Sequence, residues 1–208
     1  EFKVGAKAGF LMSNVSVDSS SDIEAGKLIT SKLNTAFRPG FHFGAFIEYG
    51  FNEKIWVEAG VDYAFQGAKL KSVEATVINV SDGSLFASEK ANIKNGWLKT
   101  QQFNIPLWVK YDISGFRPKV GVNLGFLSKV KGNLEIEGGS AVENKSLTPD
   151  KKFDFGLGFG AEYNLPMGLF FDATFNLGLT KLSTKEKNND GTYSEGGKFK
   201  NRVFQIGV

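Results

Sequence analysis

The chain has 208 residues, with 25 Lys and Arg against 22 Asp and Glu, one His, no Cys, 25 Gly and 20 Phe. A formal charge of +3, with cations scattered among anions, leaves no basic footprint for nucleic acid, and the missing cysteines exclude a disulfide framework, thiol chemistry and cysteine metal sites. No stretch approaches the ~18 consecutive apolar residues that a spanning helix needs, so any membrane crossing uses strands.

Taken in chain order, eight segments alternate apolar and polar residues with the period of two that marks a strand with unlike faces. The first, Phe2 to Val15, sets Val4, Ala6, Ala8, Phe10 and Met12 against Lys3, Gly5, Lys7, Gly9 and Ser13. The second, Pro39 to Phe51, sets Phe41, Phe43, Ala45, Ile47 and Tyr49 against Gly40, His42, Gly44 and Glu48. In the third, Ile55, Val57, Ala59, Val61, Tyr63 and Phe65 oppose Trp56, Glu58, Gly60, Asp62 and Gln66. The fourth runs Phe103, Ile105, Leu107, Val109 and Tyr111 against Gln102, Asn104, Pro106, Trp108 and Lys110, and Pro106, which lacks a ladder donor, predicts a bulge. The fifth opposes Val120, Val122, Leu124 and Phe126 to Lys119, Gly121, Asn123 and Gly125. The sixth alternates Phe153 to Tyr163 with Asp154, Gly156, Gly158, Gly160 and Glu162; the seventh alternates Leu169 to Leu179 with Asp172, Thr174, Asn176, Gly178 and Thr180. The eighth sets Phe204, Ile206 and Val208 against Val203, Gln205 and Gly207.

Nothing divides the composition, so residues 1–208 read as one domain. The start at Glu1, without Met or an apolar leader, reads as a mature form whose signal peptide is gone. Short links at 51–54, 112–115 and 164–168 alternate with long polar stretches at 17–38, 70–98, 131–152 and 183–198. That order predicts an all-β chain: an eight-stranded antiparallel up-and-down transmembrane β-barrel with short periplasmic turns and long extracellular loops, both termini on the short-turn side. A soluble barrel buries its apolar face, whereas a membrane barrel turns it to lipid. The uniform Phe, Leu, Val, Ile and Ala of one face and the Gly and charges of the other favour the second arrangement, with glycines leaving room for long charged neighbours in a narrow lumen. Tyr49, Phe51, Tyr111, Phe116 and Tyr163 fall where an interfacial girdle lies.

The strands from Pro39 (PGFHFGAFIEY), Phe103 (FNIPLWVKYD), Arg117 (RPKVGVNLG) and Phe153 (FDFGLGFGAEY) resemble the outer-membrane β-barrel domain family of Bacteroidetes, which includes PorT-like proteins. The resemblance covers nearly the whole chain and implies location in the bacterial outer membrane more than an activity. Similar barrels continue to a terminal aromatic, so the end at Val208 reads as a clipped C-terminus.

Inward Lys7, His42, Glu48, Glu58, Asp62, Lys110, Lys119, Asp154, Glu162 and Asp172 are expected to form a structural polar network in the lumen. An acid/base pair or a calcium cage among these carboxylates is the weaker reading, because nearby lysines neutralise them more simply. Gly156-Leu-Gly158-Phe-Gly160 has the look of a phosphate loop but lies inside an alternating strand, with no helix start and no following Lys-Ser/Thr. The expectation is therefore a non-catalytic chain without metal or cofactor, held by outer-membrane lipid, with a protein partner at the extracellular loops. Segments 72–80 and 133–137 alternate again and predict strands extending past the membrane into a small sheet with pairing edges. Two other readings stand beside it. A soluble lipocalin-like carrier needs its apolar face inside; a lipid-modifying enzyme needs a Ser and a carboxylate beside His42 at the outer rim.

Overall fold

The computed structural model describes residues 1–139, 141–188 and 190–208; Ser140 and Asn189, which the sequence puts in the third and fourth long connections, lie outside the described residues. The described residues form thirteen antiparallel strands: β1 (Phe2–Val17), β2 (Ser20–Glu24), β3 (Lys27–Ala36), β4 (Arg38–Gly50), β5 (Ile55–Asn79), β6 (Leu85–Asn92), β7 (Trp97–Tyr111), β8 (Phe116–Glu135), β9 (Ala141–Pro149), β10 (Phe153–Asn164), β11 (Phe170–Gly178), β12 (Leu182–Lys187) and β13 (Tyr193–Gly207). Strands β1, β4, β5, β7, β8, β10, β11 and β13 each pair with the next, and β13 pairs back with β1, which closes a ring through eight strands. β13 stops level with Gly9 and Asp172, so the Phe2–Lys7 half of β1 is paired to β4 alone.

The alternation read from the sequence sets the two faces of this ring. Val4 and Phe10 are 72% and 73% exposed on the outside, while their neighbours on the other parity turn inward. β10 repeats the pattern, with Phe153, Leu157 and Phe159 out and Asp154, Gly156, Gly158 and Glu162 in. Aromatic neighbours on the outer face, such as Phe41 stacked on Phe65 at 4.3 Å, knit adjacent strands across that surface.

The four polar stretches are not loops, which corrects the expectation of eight strands joined by long solvated connections. They hold β2, β3, β6, β9 and β12, and the reversals themselves are short hairpin turns, one of them at Ala25 and Gly26, both with positive φ. Only short breaks separate β1 from β2, β3 from β4, β6 from β7, β9 from β10 and β11 from β12, so the thirteen strands are eight long runs interrupted by irregular residues. β5 alone has 25 residues, about 80 Å at ~3.3 Å per residue. That is far more than an apolar band of ~25 Å requires even when tilted. Its upper half lies between β3 and β6, with β2 outside β3, and forms a projecting four-strand sheet. Among the described residues, β2 pairs only with β3 and β6 only with β5, so both outer edges of this sheet are open except at the foot of β6, where the Asn92 carbonyl accepts from the Glu137 N–H.

Pro106 makes no bulge. Pairing of β5 with β7 lapses between Ala59↔Leu107 and Asp62↔Asn104 while the register is unchanged, because a missing donor removes a bond without inserting a residue. The irregularity falls instead between Gln101 and Gln102 against β8.

Candidate functional site

Inward parity carries all ten predicted lumen residues into the ring, where they separate into three groups. At the short-turn end Lys110, 1% exposed, is surrounded by carboxylates: its Nζ donates to Glu48, to Glu162 at 2.6 Å and lies 2.5 Å from Glu58. Lys7 adds a second cation to Glu58 at 3.3 Å. Oxygens of Glu48, Glu58 and Glu162 lie within 4.8 Å of one another, a spacing that would suit a metal ion. The ammonium of Lys110 already stands among them, so the geometry is that of an ion pair. Lys119 and Asp172 form a separate buried pair.

The third group, higher in the ring, is a layer of amides and acids. His42 Nδ1 lies 2.9 Å from Asp62 Oδ2, and Asn104 donates to the other oxygen of Asp62 at 3.3 Å. Asp154, expected to meet a lysine, instead accepts from Gln102 at 3.0 Å and Asn201 at 2.8 Å. These groups line a cavity of about 30 Å³, into which His42 Nε2, Gln66 Oε1 and Asn176 Oδ1 present atoms without a protein partner. A polar cavity of that size holds about two waters. Among the described residues no serine bonds His42, so the Ser-His-acid arrangement is not assembled at this ring.

Several residues that plug the ring escaped the sequence reading, although Trp56 and Trp108 already stood on its inward face. Arg117 closes the short-turn mouth: Nε donates to Asp112 at 2.5 Å, Nη1 donates to Glu48 at 3.3 Å, and the guanidinium lies 4.4 Å from the Trp56 ring, with Lys3 4.2 Å from the same ring. Arg117 shares the parity of Lys119, which was the available signal. Phe46, Trp56 and Trp108 are buried inside, and Gly5, Gly50, Gly121 and Gly158 make room for them, whereas Gly125 makes room for the Gln102 amide. A Cβ at Gly5 would meet the Phe46 ring at 2.4 Å, and one at Gly50 would meet Trp56 at 3.0 Å. Gly156, Gly158 and Gly160 are interior strand residues of β10, as the alternation predicts. At the far end Val15, Ala68, Leu127, Val130, Leu182 and Phe199 pack into an apolar plug, with Leu11, Ala64 and Val203 just below. The ring is thus filled by ions, then amides, then hydrocarbon, and among the described residues its interior cavity is polar rather than the apolar chamber a soluble carrier uses.

Among solved structures, the chain is similar to Neisserial surface protein A, at 12% identity and a TM-score of 0.43, covering 99% of this chain and 98% of that one. It is also similar to Ail, the attachment invasion locus protein of Yersinia pestis, at 14% identity and a TM-score of 0.42, covering 98% and 94%. A third is the outer membrane protein OprG from Pseudomonas aeruginosa, at 16% identity and a TM-score of 0.44, covering 99% and 92%. No curated protein matches the sequence. The sequence model of one family, however, spans residues 1–208. An apolar outer face around a filled polar interior is what that family's setting demands, and the chain belongs to the outer membrane protein beta-barrel domain family, of the bacterial outer membrane.

Proposed function

We propose that the chain is a closed, eight-stranded transmembrane barrel that conducts nothing, catalyses nothing, and holds its projecting sheet outside the cell for a protein partner. The observation that carries this reading is the contrast between the two ends. The interior is blocked by three successive layers, whereas β3, β5 and β6 continue well past the apolar band into a sheet with two open edges. An extended segment adding to β2 or β6 gains main-chain hydrogen bonds without any rearrangement of the sheet. In this orientation the 51–54, 112–115 and 165–169 turns face the periplasm. Within the family, the strands beginning at Pro39, Phe103 and Arg117 support a place among the PorT-like members, with no secretion role carried over.

Orientation is tested by placing Ser88→Cys in β6 and Asn52→Cys in the first short turn, each in a chain otherwise free of cysteine. On intact Gram-negative cells, a membrane-impermeant maleimide should label the first and not the second. The reverse labelling would place the sheet in the periplasm and end the surface-partner reading.

A further inference from the structure

We propose that a cationic groove on the outer face, at the upper limit of the apolar band, binds the phosphorylated headgroup of a membrane lipid. The groove measures about 450 Å³ and is lined by Arg38, Lys99, Lys129 and Lys131 together with Phe41 and Phe65. No Asp or Glu lines it, and among the described residues none of the four cations has a carboxylate within ion-pair distance. Elsewhere on the projecting strands Lys90, Lys145 and Lys185 are matched to Glu74, Glu186 and Asp150.

Three of the cations are set together by register, while Arg38 reaches the groove from β4 at the parity of Gly40 and His42. Lys99 of β7 sits directly opposite Lys131 of β8, and like charges directly opposite one another disfavour strand pairing. The irregularity between Gln101 and Gln102 leaves Ser128 and Lys129 both exposed in succession, so it is this bulge that turns Lys129 to the outer face beside Lys131. A concentration of repelling charge built by a register shift becomes favourable once a multivalent anion lies among it.

The lipid assignment follows from what lies on either side. One step down each strand, the outer face is Phe43, Tyr63, Phe103 and Phe126; one step up, it is Pro39, Gly67, Lys99 and Lys131. The stacked pair Phe41 and Phe65 forms a shelf at the changeover. An amphiphile with acyl chains along these rings places its phosphates at the four cations, whereas a free anion gains nothing from the rings. This rests on the reading that the outer face meets lipid, but not on which end of the chain faces the cell exterior.

The test uses the whole chain in phosphatidylcholine nanodiscs doped with a bis-phosphorylated glycolipid (lipid A), its dephosphorylated form, or neither, with inorganic phosphate in a further arm. Retained lipid is counted by native mass spectrometry. The phosphorylated probe should be retained at least about tenfold more than the dephosphorylated one, since several cations near a membrane surface add their attraction for one anion. The variant Arg38→Gln/Lys99→Gln/Lys129→Gln/Lys131→Gln should lose that preference. It should still run as a folded, heat-modifiable band, because it relieves repulsion; if it does not, Lys99→Gln and Lys129→Gln are compared singly and each must reduce retention. A control with Lys90→Gln/Lys145→Gln/Lys185→Gln, which lowers net charge elsewhere, should keep the preference. Equal retention by the groove variant, equal retention of the two glycolipids, or displacement of the lipid by inorganic phosphate at matched concentration would each overturn the proposal. If lipid binds the groove while the Asn52→Cys turn proves to be the labelled one, the groove stands and the surface orientation falls.

Discussion

Gly158 lies directly against the indole of Trp108: a Cβ on this glycine would meet Trp108 Cη2 at 2.3 Å and Asn176 Oδ1 at 2.9 Å. The glycine on β10 and the tryptophan on β7 are therefore one packing unit in the middle of the ring, whereas Gly156 and Gly160 on either side stand close to the backbone of β11.

Gly158→Val should accordingly destabilise the folded chain by about 1–3 kcal/mol, the usual cost of overfilling a packed interior. Adding Trp108→Leu to it should restore much of the loss. Unfolding midpoints in urea, followed by the heat-modifiable gel shift, measure both; a Gly158→Val chain as stable as the parent would show that the indole does not occupy that space.

Lys110 is the one ammonium that touches Glu48, Glu58 and Glu162 together. Lys110→Met leaves three buried carboxylates without their central cation and should cost about 3–5 kcal/mol. Calcium in the buffer should then raise the unfolding midpoint of this variant, because the oxygens already lie within 4.8 Å of one another, and should leave the parent unchanged. A loss that calcium does not relieve would mean that the carboxylates spread apart once the lysine is gone.

Acid acts at the mouth. Burial, the largest single influence on the Asp112 carboxyl, raises its pKa, but the Gly115 N–H, the hydrogen bond and charge of Arg117, and Lys3 together hold it below the ordinary value. A carboxyl depressed in the folded state adds stability above the ordinary Asp value of ~3.9 and loses it as the pH falls through the lower folded value. The parent should therefore be more stable than Asp112→Asn near pH 6, with the gap closing on acidification below about pH 4. A gap that persists at the lowest pH tested would assign the effect to something other than this carboxylate's charge.

The period of two made the ring strands and their inward sets legible, because exposure of one face to an apolar medium constrains every second residue. Partners were not legible. Parity says that Lys110 points inward, but its meeting with glutamates of β4, β5 and β10 depends on the stagger of strands around the ring, which no local pattern records. Phe46 and Leu11 sit at polar-face positions and break the rule, since a narrow interior still needs hydrocarbon to fill it. The strands β2, β6, β9 and β12 were hidden for another reason: their polar composition is that of loops, and only pairing with β3, β5, β8 and β13 makes them strands.

A filled interior has an electrical consequence. In planar bilayers the chain should insert without producing open-channel steps, since the Arg117 mouth, the Lys110 cluster and the Leu127–Phe199 plug lie in series. Sustained unitary steps from pure protein would require at least one of these layers to open.

The central claim is that one face of each ring strand meets lipid while the other is sealed, and lipid accessibility along β10 measures it most directly. Nitroxides placed singly from Phe153 to Tyr163 in the reconstituted chain, leaving the closely packed Gly156, Gly158 and Gly160 untouched, and probed by oxygen dissolved in the bilayer, should follow the period of two. Maxima are expected at 153, 155, 157, 159, 161 and 163, and minima at 154 and 162. Maxima at the even positions, or uniform accessibility to water-borne relaxers at every site, would turn the apolar face inward and contradict the account.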